Sequence, residues 1–378
     1  MWGRLGPGLL ASLVLSGIIV LVPNSAAGFG TIEGGGQNRE HERLTRAAVA
    51  CPVGTGSDGD CFEPRSVDQL AGHGKGFGAV GAPDLTEVPN PAAHCDDADF
   101  LVGGYPQTRD EASARLLDCV NHLRGRFREA IDSAEDLLDD EGQIIGAEVN
   151  LDTDCGLDAN TEKRAKCASL EGFGRALHGA QDFYSHSNWA DVADPSRPIG
   201  ADNPPGLNLP APSPVLDLRG SSALTVPRDL TTGCFVLRDS VPGVGACERR
   251  VTHAALNKDN GLVDQSTGTT TSPTTPRGKV ESNFAKAVAA AMVETRHQWQ
   301  DLRAALETSY GAQRASRMAC ALTRDDPLND CRGRSRAAAA LAISGVLIGV
   351  LVVGILLFRV RRRRRLDGTN RTGLGRWR

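Results

Sequence analysis

The chain of 378 residues lacks the short motifs that mark several common kinds of functional site. It has no Cys-x-x-Cys pair with zinc-finger spacing, which favours disulfides over a thiolate metal site. It has no Gly-x-Ser-x-Gly nucleophile elbow and no Walker-type phosphate-binding loop, so nothing indicates a serine hydrolase or a P-loop enzyme. The acidic loop that begins at Asp152 has no carboxylate at its fifth position and has Lys163 at its twelfth, which excludes an EF-hand.

Positive charge is also scarce in the middle of the chain. Residues 28–335 contain 31 Lys and Arg against 45 Asp and Glu, a net charge of −14. Such a surface is not attracted to nucleic-acid phosphates, so we expect no nucleic acid as a stable partner. The acidic excess suits either a soluble surface or a site that binds cations.

The two ends of the chain have the patterns of export and membrane anchoring. Residues 1–27 contain Arg4, an apolar run and small residues before Gly28, as in a cleaved secretory signal peptide. Residues 336–358 are dominated by an uncharged apolar stretch that would span roughly 33 Å as a helix, the thickness of a bilayer core. The basic residues 359–378 follow it as a tail that stays in the cytoplasm. We therefore expect a single-pass type I protein of the cell membrane, with its body outside the cell.

The exported body, residues 28–335, is long enough for a substantial core and contains all ten cysteines. An even number of cysteines outside the cytoplasm predicts disulfides that act as structural links. Since the cysteines occur as neighbouring couples, we expect these pairs: Cys51 with Cys61, Cys95 with Cys119, Cys155 with Cys167, Cys234 with Cys247, and Cys320 with Cys331.

Hydrophobic periodicity predicts a mainly α fold for this body. The longest helices are predicted over Asp110–Asp140, where Leu117, Val120, Leu123 and Phe127 recur at helical intervals and should face the core, and over Lys279–Tyr310. A first helix is predicted over residues 37–51. Loops are predicted over residues 52–91 and 194–214, one or two short strands over 224–238, and a flexible linker over 266–273. The expected fold is a multi-helix bundle with long disulfide-tied loops, followed by a C-terminal transmembrane helix.

The stretch over residues 172–191 carries the clearest chemical pattern. Its helix would place His178, Asp182 and His186 at steps of four, so all three side chains would point the same way. Imidazole and carboxylate groups are the ligands that zinc and similar divalent ions accept. The alternative is an ordinary amphipathic helix with a solvated polar face, because the apolar residues fall on the opposite side. Gly174 and Gly179 favour a crowded helix, since they allow the close approach of neighbouring backbone.

The sequence ALHGAQDFYSHSNW within this stretch resembles the Het-C-like family, which includes the bacterial CinY proteins. That family is similar, more distantly, to zinc-dependent phospholipase C and to fungal single-strand nucleases. The resemblance implies an all-helical centre with two or three zinc ions that hydrolyses a phosphodiester such as a phospholipid. The step of four from Asp182 to His186 is shorter than the corresponding spacing in the phospholipases.

The same resemblance implies further ligands elsewhere in the chain. His41 lies in an HExLT pattern, Asp84 and His94 come with the segment AHCDDADF, and His253 begins an HxxLNKD motif. The implied metal ligands are therefore His41, Asp84, His94, His178, Asp182, His186 and His253. Asp84 or Asp182 would orient the attacking water.

Some features leave alternatives open. Asn257 occupies the position where the phospholipases have an acidic ligand, so a third ion would be held weakly or be absent. The phospholipases also use an N-terminal amine as a ligand, and whether the expected mature start at Gly28 does so is open. Het-C-like proteins are associated with recognition at fungal cell surfaces, so a non-catalytic, metal-stabilised recognition module is the alternative function.

Overall fold

A computed structural model describes residues 28–74, 76–156, 163–220, 224–235 and 247–331. The predicted signal peptide, transmembrane helix and basic tail lie outside these ranges. Within them, no helix is both long and apolar enough to cross a membrane. The chain divides into two units, Met1–Pro327 and Leu328–Arg378, and of the described residues only 328–331 belong to the second.

The described chain is mainly helical, as the sequence predicts, and its few strands are short. Two antiparallel hairpins, β1 with β2 and β3 with β4, have two residues in each strand. The strands are β1 Glu33–Gly34, β2 Gln37–Asn38, β3 Leu262–Val263 and β4 Thr270–Thr271. The helices are α1 Glu40–Val49, α2 Pro64–Ala71, α3 Gly78–Gly81, α4 Pro83–Thr86, α5 Pro91–His94, α6 Arg109–Glu135, α7 Gly146–Val149, α8 Ala165–His186, α9 His253–Leu256, α10 Pro276–Lys279, α11 Asn283–Tyr310, α12 Ala312–Thr323 and α13 Pro327–Asp330, the last of which crosses the boundary between the units.

Helix α8 is the centre of the fold, and it packs against α6, α3, α11 and α5. Its apolar and polar faces are both buried, and His178, Asp182 and His186 are each 0% exposed. This burial excludes the alternative of an amphipathic helix with a solvated polar face. A buried charged face is expensive unless its groups are paired or bind ions, so the polar residues of α8 need partners.

Glycines on α8 allow this close packing, as predicted for Gly174 and Gly179. A Cβ added at Gly174 would lie 2.4 Å from Ala79 Cβ and 2.8 Å from Val80 N on α3. A Cβ added at Gly179 would lie 2.6 Å from the Ala93 carbonyl oxygen on α5. The glycines therefore bring α3 and α5 next to the polar face of α8.

We expect Gly174→Ala to destabilise the protein by about 1–3 kcal/mol, because the added methyl group overpacks the contact with α3. Denaturant unfolding measures this change. Gly125→Ala on α6 is the matched control, since no atom lies within 4 Å of its added Cβ. There alanine should be neutral or stabilise the helix by up to about 1 kcal/mol. Equal effects at the two positions would contradict the packing account.

Helix α6 begins with a capping box, which explains its sharp start. The Thr108 side chain accepts a hydrogen bond from the Glu111 backbone, and the Glu111 carboxylate accepts one from the Thr108 backbone at 2.7 Å. Val120, Leu123 and Phe127 are buried as predicted. Leu117, predicted to face the core, is 40% exposed, and Leu116 takes its place. The predicted set of buried positions is therefore correct in the middle of α6, but near the start of the helix it is displaced by one residue.

The disulfides follow the predicted neighbour pairing. Cys51–Cys61, Cys95–Cys119, Cys155–Cys167 and Cys234–Cys247 are bonded, and Cys320 and Cys331 are also disulfide-bonded. The Cys95–Cys119 bond links the end of α5 to α6. It therefore fixes the residue that follows His94.

Two loop predictions and one strand prediction differ from the described structure. Residues 52–91, predicted as loops and turns, contain α2, α3 and α4, because short helices show too few periods to be recognised in a sequence. Residues 266–273, predicted as a flexible linker, include β4 of the second hairpin. In the described part of 224–238 only isolated bridges occur, Ser187 with Thr232 and Cys234 with Thr252.

Candidate metal centre

Buried histidine and aspartate side chains converge from five helices around the polar face of α8. They form two clusters, of which the first contains two groups that could each hold a metal ion and the second contains one. The helices bring together all of the ligands predicted from the sequence: His41 from α1, Asp84 from α4, His94 from α5, His178, Asp182 and His186 from α8, and His253 from α9.

The first cluster is arranged around the carboxylate of Asp182. Its Oδ1 atom lies 3.1 Å from His41 Nε2. Its Oδ2 atom lies 3.0 Å from His94 Nδ1 and 3.1 Å from His178 Nε2. Two ligands of one tetrahedral zinc ion, each bound at about 2.0–2.1 Å, are roughly 3.3 Å apart. Asp182 can therefore bridge two ions, one on the side of His41 and the other on the side of His94 and His178.

Asp84 completes the second side of this cluster. Its Oδ1 atom lies 3.6 Å from His178 Nε2 and 4.0 Å from His94 Nδ1. The hydroxyl of Thr31 donates to the other oxygen, Oδ2. The Asp84 side chain is 12% exposed, whereas those of His94, His178 and Asp182 are at most 2% exposed. Asp84 is therefore the ligand nearest to solvent in the first cluster.

A hydrogen bond on the far side of His178 fixes the orientation and the tautomer of its ring. His178 Nδ1 lies 2.8 Å from the Val80 carbonyl oxygen, which can only accept. Nδ1 must therefore carry a hydrogen, so in the neutral ring Nε2 presents its lone pair to the Asp182 carboxylate. Two lone pairs in contact repel unless a proton or a cation lies between them, and a backbone carbonyl behind a metal-binding histidine is common.

The expected start of the exported body lies beside the first cluster. The Phe29 backbone N–H donates to Asp182 Oδ1 at 3.2 Å. A Cβ added at Gly28 would lie 2.6 Å from the same oxygen, and Gly28 has φ 78°. Only glycine fits here, so the main chain at this position is held against the bridging carboxylate.

The second cluster contains His186, His253, Asp96 and Asp259. His186 Nδ1 lies 3.2 Å from Asp96 Oδ1, and His186 Nε2 lies 3.2 Å from Asp259 Oδ1. His253 Nε2 is 3.0 Å from His186 Nε2. The spacing on α8 predicted that His178, Asp182 and His186 face one pocket, whereas the structure groups His186 with Asp96 and His253. One further helical turn carries its ring about 6 Å along the axis, into a different set of partners.

Two residues of this cluster were not predicted as ligands. Asp96 lies two residues after His94. Asp259 lies two residues after Asn257, which occupies the position where the phospholipases have an acidic ligand. Asn257 instead accepts a hydrogen bond from the Asp259 backbone at 2.9 Å, which turns Asp259 inward. Asp259 therefore brings a carboxylate into the second cluster two residues after Asn257. The aspartates of the AHCDDADF and HxxLNKD segments were the signal that could have found Asp96 and Asp259.

A sharp turn divides His94 and Asp96 between the two clusters. Cys95 and Asp97, on either side of Asp96, have left-handed conformations with φ 56° and 67°. Such conformations cost on the order of 1 kcal/mol or more in non-glycine residues and persist only where contacts hold them. The Asp97 backbone donates to the Gly233 carbonyl at 2.8 Å, and the Phe235 backbone donates to Asp97 Oδ1 at 2.9 Å. The chain thus directs neighbouring ligands to separate clusters.

A buried ion-pair network holds α9 against the end of α8. Lys258 Nζ donates to the Ser187 carbonyl at 2.9 Å and to Asp191 Oδ2 at 3.1 Å. Arg277 donates to both oxygens of Asp191, at 2.7 and 3.0 Å. Because Ser187 follows His186 and Lys258 precedes Asp259, this network fixes the two sides of the second cluster relative to each other.

Unsatisfied polar atoms provide a test of whether a cation fits these clusters. His41 Nε2, Asp84 Oδ1, Asp96 Oδ1, His186 Nδ1 and Asp259 Oδ2 are buried and make no hydrogen bond of good geometry among the described residues, although three of them lie 3.1–3.2 Å from an oppositely charged group. Most buried polar atoms in proteins are paired, so this concentration requires an explanation. All five atoms are of types that bind divalent cations, and bound cations would satisfy them.

Electrostatics in the first cluster favour a cation. Burial lowers the pKa of His41 and His94, but the Asp182 carboxylate outweighs burial and raises both pKa values above 6.5. Burial alone would raise the pKa of Asp182, but the charges of His178, His41 and His186 hold it well below 3.8. Burial keeps the pKa of His178 below 6.5. The buried carboxylate is therefore ionised and needs positive charge beside it.

The second cluster has the same competition between burial and charge. Burial raises the pKa of Asp96 to about 6 and also raises that of Asp259, while His186 opposes both shifts. Burial lowers the pKa of His186, but Asp96 and Asp259 outweigh it and raise that pKa well above 6.5. Burial and the charge of His186 lower the pKa of His253 well below 6.5. Strongly perturbed and mutually opposed pKa values of this kind are typical of functional sites.

One further acidic group does not suit a cation. Asp97, Asp99 and Cys234 lie close together, but Cys234 is bonded to Cys247. Asp99 forms an ion pair with Arg250. His73 lies at the surface, with its Nε2 atom 3.2 Å from Asp154 Oδ2, and belongs to neither cluster.

The fold and these clusters define a disulfide-linked helical protein with buried His/Asp groups that could bind metal ions. Comparisons of the chain with protein-family models, curated proteins and solved structures found no match.

Proposed function

We propose that this chain is an exported, membrane-anchored zinc protein whose buried centre hydrolyses a phosphodiester in the manner of phospholipase C. The observation that carries the proposal is the Asp182 carboxylate, whose two oxygens face imidazoles on opposite sides at 3.0–3.1 Å. A bridging carboxylate between neighbouring ions is the usual feature of multinuclear hydrolytic sites. The ligand set contains only nitrogen and oxygen, whereas structural zinc sites are rich in cysteine.

The ligands would divide between the ions as follows. His41 and one oxygen of Asp182 would hold one ion, and Asp84, His94, His178 and the other oxygen of Asp182 a second. His186, His253 and Asp259 would hold a third, with Asp96 orienting or completing that site. When bound, zinc ions act as Lewis acids that activate water and neutralise phosphate oxygens.

The residues of the chain would have distinct roles in the reaction. Both oxygens of Asp182 are engaged by imidazoles, which suits a bridging ligand more than a base. Asp84 is partly exposed, and its Oδ1 atom has no hydrogen-bond partner in the described part of the chain. Asp84 is therefore better placed than Asp182 to orient an attacking water. A cavity of about 340 Å³ is lined in part by Thr252, Ala254 and Arg277, the first two of which flank His253 in the sequence.

The disulfides support an exported location, because such bonds persist in oxidising compartments. The signal peptide, the membrane span and the basic cytoplasmic tail rest on the sequence. A body tethered to a membrane would meet phospholipid headgroups directly, which makes a phospholipid the first substrate to test.

Burial of the ligands favours a second candidate function. His178, Asp182 and His186 are 0% exposed, and closed metal sites are generally structural. In that case the ions would stabilise a cell-surface recognition module without catalysis.

Metal analysis and turnover together separate these functions. The purified exported protein is analysed for zinc and then assayed on phosphatidylcholine vesicles, a nitrophenyl phosphodiester and single-stranded nucleic acid. We expect at least two zinc ions per chain and turnover of the phospholipid or model ester that is lost on chelation and restored by zinc. Zinc without turnover on any substrate would favour the recognition module. A protein that binds no metal would remove both candidates.

A further inference from the structure

Gln181 is a buried neutral residue that contacts the first cluster without being a ligand. It precedes Asp182 on α8, is 0% exposed, and reaches toward α1 and α11. Its Oε1 atom lies 2.7 Å from His41 Nδ1. Its Nε2 atom donates to Thr45 Oγ1 at 2.9 Å and to Thr295 Oγ1 at 3.0 Å. The amide therefore connects a metal-ligand candidate to two hydroxyl groups.

The hydrogen bonds of Thr295 determine which way the Gln181 amide faces. Thr295 Oγ1 donates its only hydrogen to the Ala291 carbonyl oxygen at 2.8 Å. It can then only accept from Gln181, so the amide nitrogen must face Thr295 and the amide oxygen must face His41. This direction follows from the donors and acceptors, even though oxygen and nitrogen of an amide have nearly the same shape.

The orientation of the amide in turn determines the tautomer of His41. Because the Gln181 oxygen can only accept, His41 Nδ1 must carry a hydrogen. The neutral ring then has its lone pair on Nε2, the atom that lies 3.1 Å from Asp182 Oδ1 and has no hydrogen-bond partner in the described chain. The opposite tautomer would place a hydrogen where a cation must bind.

We propose that Gln181, oriented by Thr295, is a positioning residue that holds His41 in the tautomer required for zinc binding. It does for His41 what the Val80 carbonyl does for His178. The inference rests on the proposed zinc centre, but it concerns affinity and not turnover. Removal of the partner behind a metal-binding histidine weakens metal affinity by about 10–100-fold.

Zinc affinity, measured by competition with a chromophoric chelator on the exported protein, tests this role. Gln181→Leu removes the acceptor and should weaken the tightest zinc site by about 10–100-fold. Gln181→Glu keeps an oxygen opposite His41 Nδ1 and should restore affinity to within about threefold of the wild type. A purely structural role would not be rescued in this way, since a buried carboxylate is less well tolerated than an amide.

Gln298→Leu is the matched control, because Gln298 is also a fully buried glutamine. It donates to the Leu216 carbonyl at 2.9 Å and to Glu294 at 2.7 Å, away from both clusters. We expect it to lower stability without weakening zinc binding. If Gln181→Leu does not fold, Thr295→Val decides the question, because it removes the acceptor that orients the amide and should still weaken binding severalfold.

The outcomes distinguish this inference from the proposed function. Wild-type protein that binds zinc, with Gln181→Leu and Thr295→Val at wild-type affinity, would overturn the positioning role alone. Equal weakening by Gln298→Leu would overturn it as well. Wild-type protein that binds no zinc would overturn the zinc centre and, with it, this inference.

Discussion

Asp182→Asn is expected to cause the largest loss of function of any single exchange in the centre. Asparagine has nearly the same shape, but it is neutral and replaces one ligand oxygen with an N–H donor. His41 on one side of Asp182, and His94 and His178 on the other, would lose the carboxylate that they share. We expect the protein to lose at least one zinc ion per chain and to bind zinc more weakly by on the order of a hundredfold or more. We also expect no detectable turnover of phosphodiesters.

The measurement combines zinc content after dialysis with the phosphodiester assay. His73→Ala is the control, because His73 is a surface histidine paired with Asp154 and should leave zinc content and turnover unchanged. Circular dichroism of the metal-free proteins establishes that Asp182→Asn folds. A folded Asp182→Asn protein with wild-type zinc content would show that Asp182 does not bridge ions.

The second large effect is expected in the pH dependence of stability. We expect the melting temperature of the zinc-loaded protein to exceed that of the metal-free protein by a margin that widens as pH rises from 6.5 to 8.5. His41, His94 and His186 have pKa values raised above 6.5 in the metal-free fold, mainly by Asp182, Asp96 and Asp259 outweighing burial.

The sign of this effect follows from proton linkage. A histidine whose pKa is higher in the folded state stabilises the fold fully below about 6.5 and loses that contribution as pH rises through the folded pKa. His178 and His253, whose pKa values are lowered, affect stability only as pH falls below 6.5. Zinc-bound imidazoles carry no titrating proton in this range, so the zinc-loaded protein should not lose stability in the same way.

Differential scanning calorimetry at several pH values, with zinc or with excess chelator, measures this margin. For a protein of this size each kcal/mol corresponds to roughly 2–4 °C, so a widening of several degrees is expected. His297, whose pKa is raised by Glu294 and Asp301, lies outside the clusters and cancels in the difference. A margin that stays constant or narrows above pH 6.5 would contradict the assigned charges.

Several parts of this centre could be predicted from local patterns. The steps of four between His178, Asp182 and His186 require only a helix, and helix α8 satisfies that condition. The disulfides were predictable because the bonds at Cys51, Cys95, Cys155 and Cys234 each join cysteines only 10–24 residues apart in the sequence. The long helices α6 and α11 were recognisable because many periods of apolar residues reinforce one another.

The remaining features depend on tertiary contacts that no local pattern encodes. Which cluster each ligand of α8 joins depends on the side chains that face it from other helices. Asp96 and Asp259 both reach His186 because α5 and α9 pack against α8. The role of Gln181 depends on the hydroxyl of Thr295 from α11, more than a hundred residues away. Asp96 lies in a turn whose left-handed residues, Cys95 and Asp97, carry no glycine signal.

The bond between Cys95 and Cys119 makes the oxidation state of the chain matter for ion capture. It ties down the one short turn that sends His94 toward the first cluster and Asp96 toward the second. Reduction of this bond would make the positions of His94 and Asp96 less well defined, and so would affect both clusters, although neither sulfur is a ligand. We therefore expect oxidative folding to be needed before the proposed zinc centre can load, and a chain with this bond reduced to bind zinc weakly.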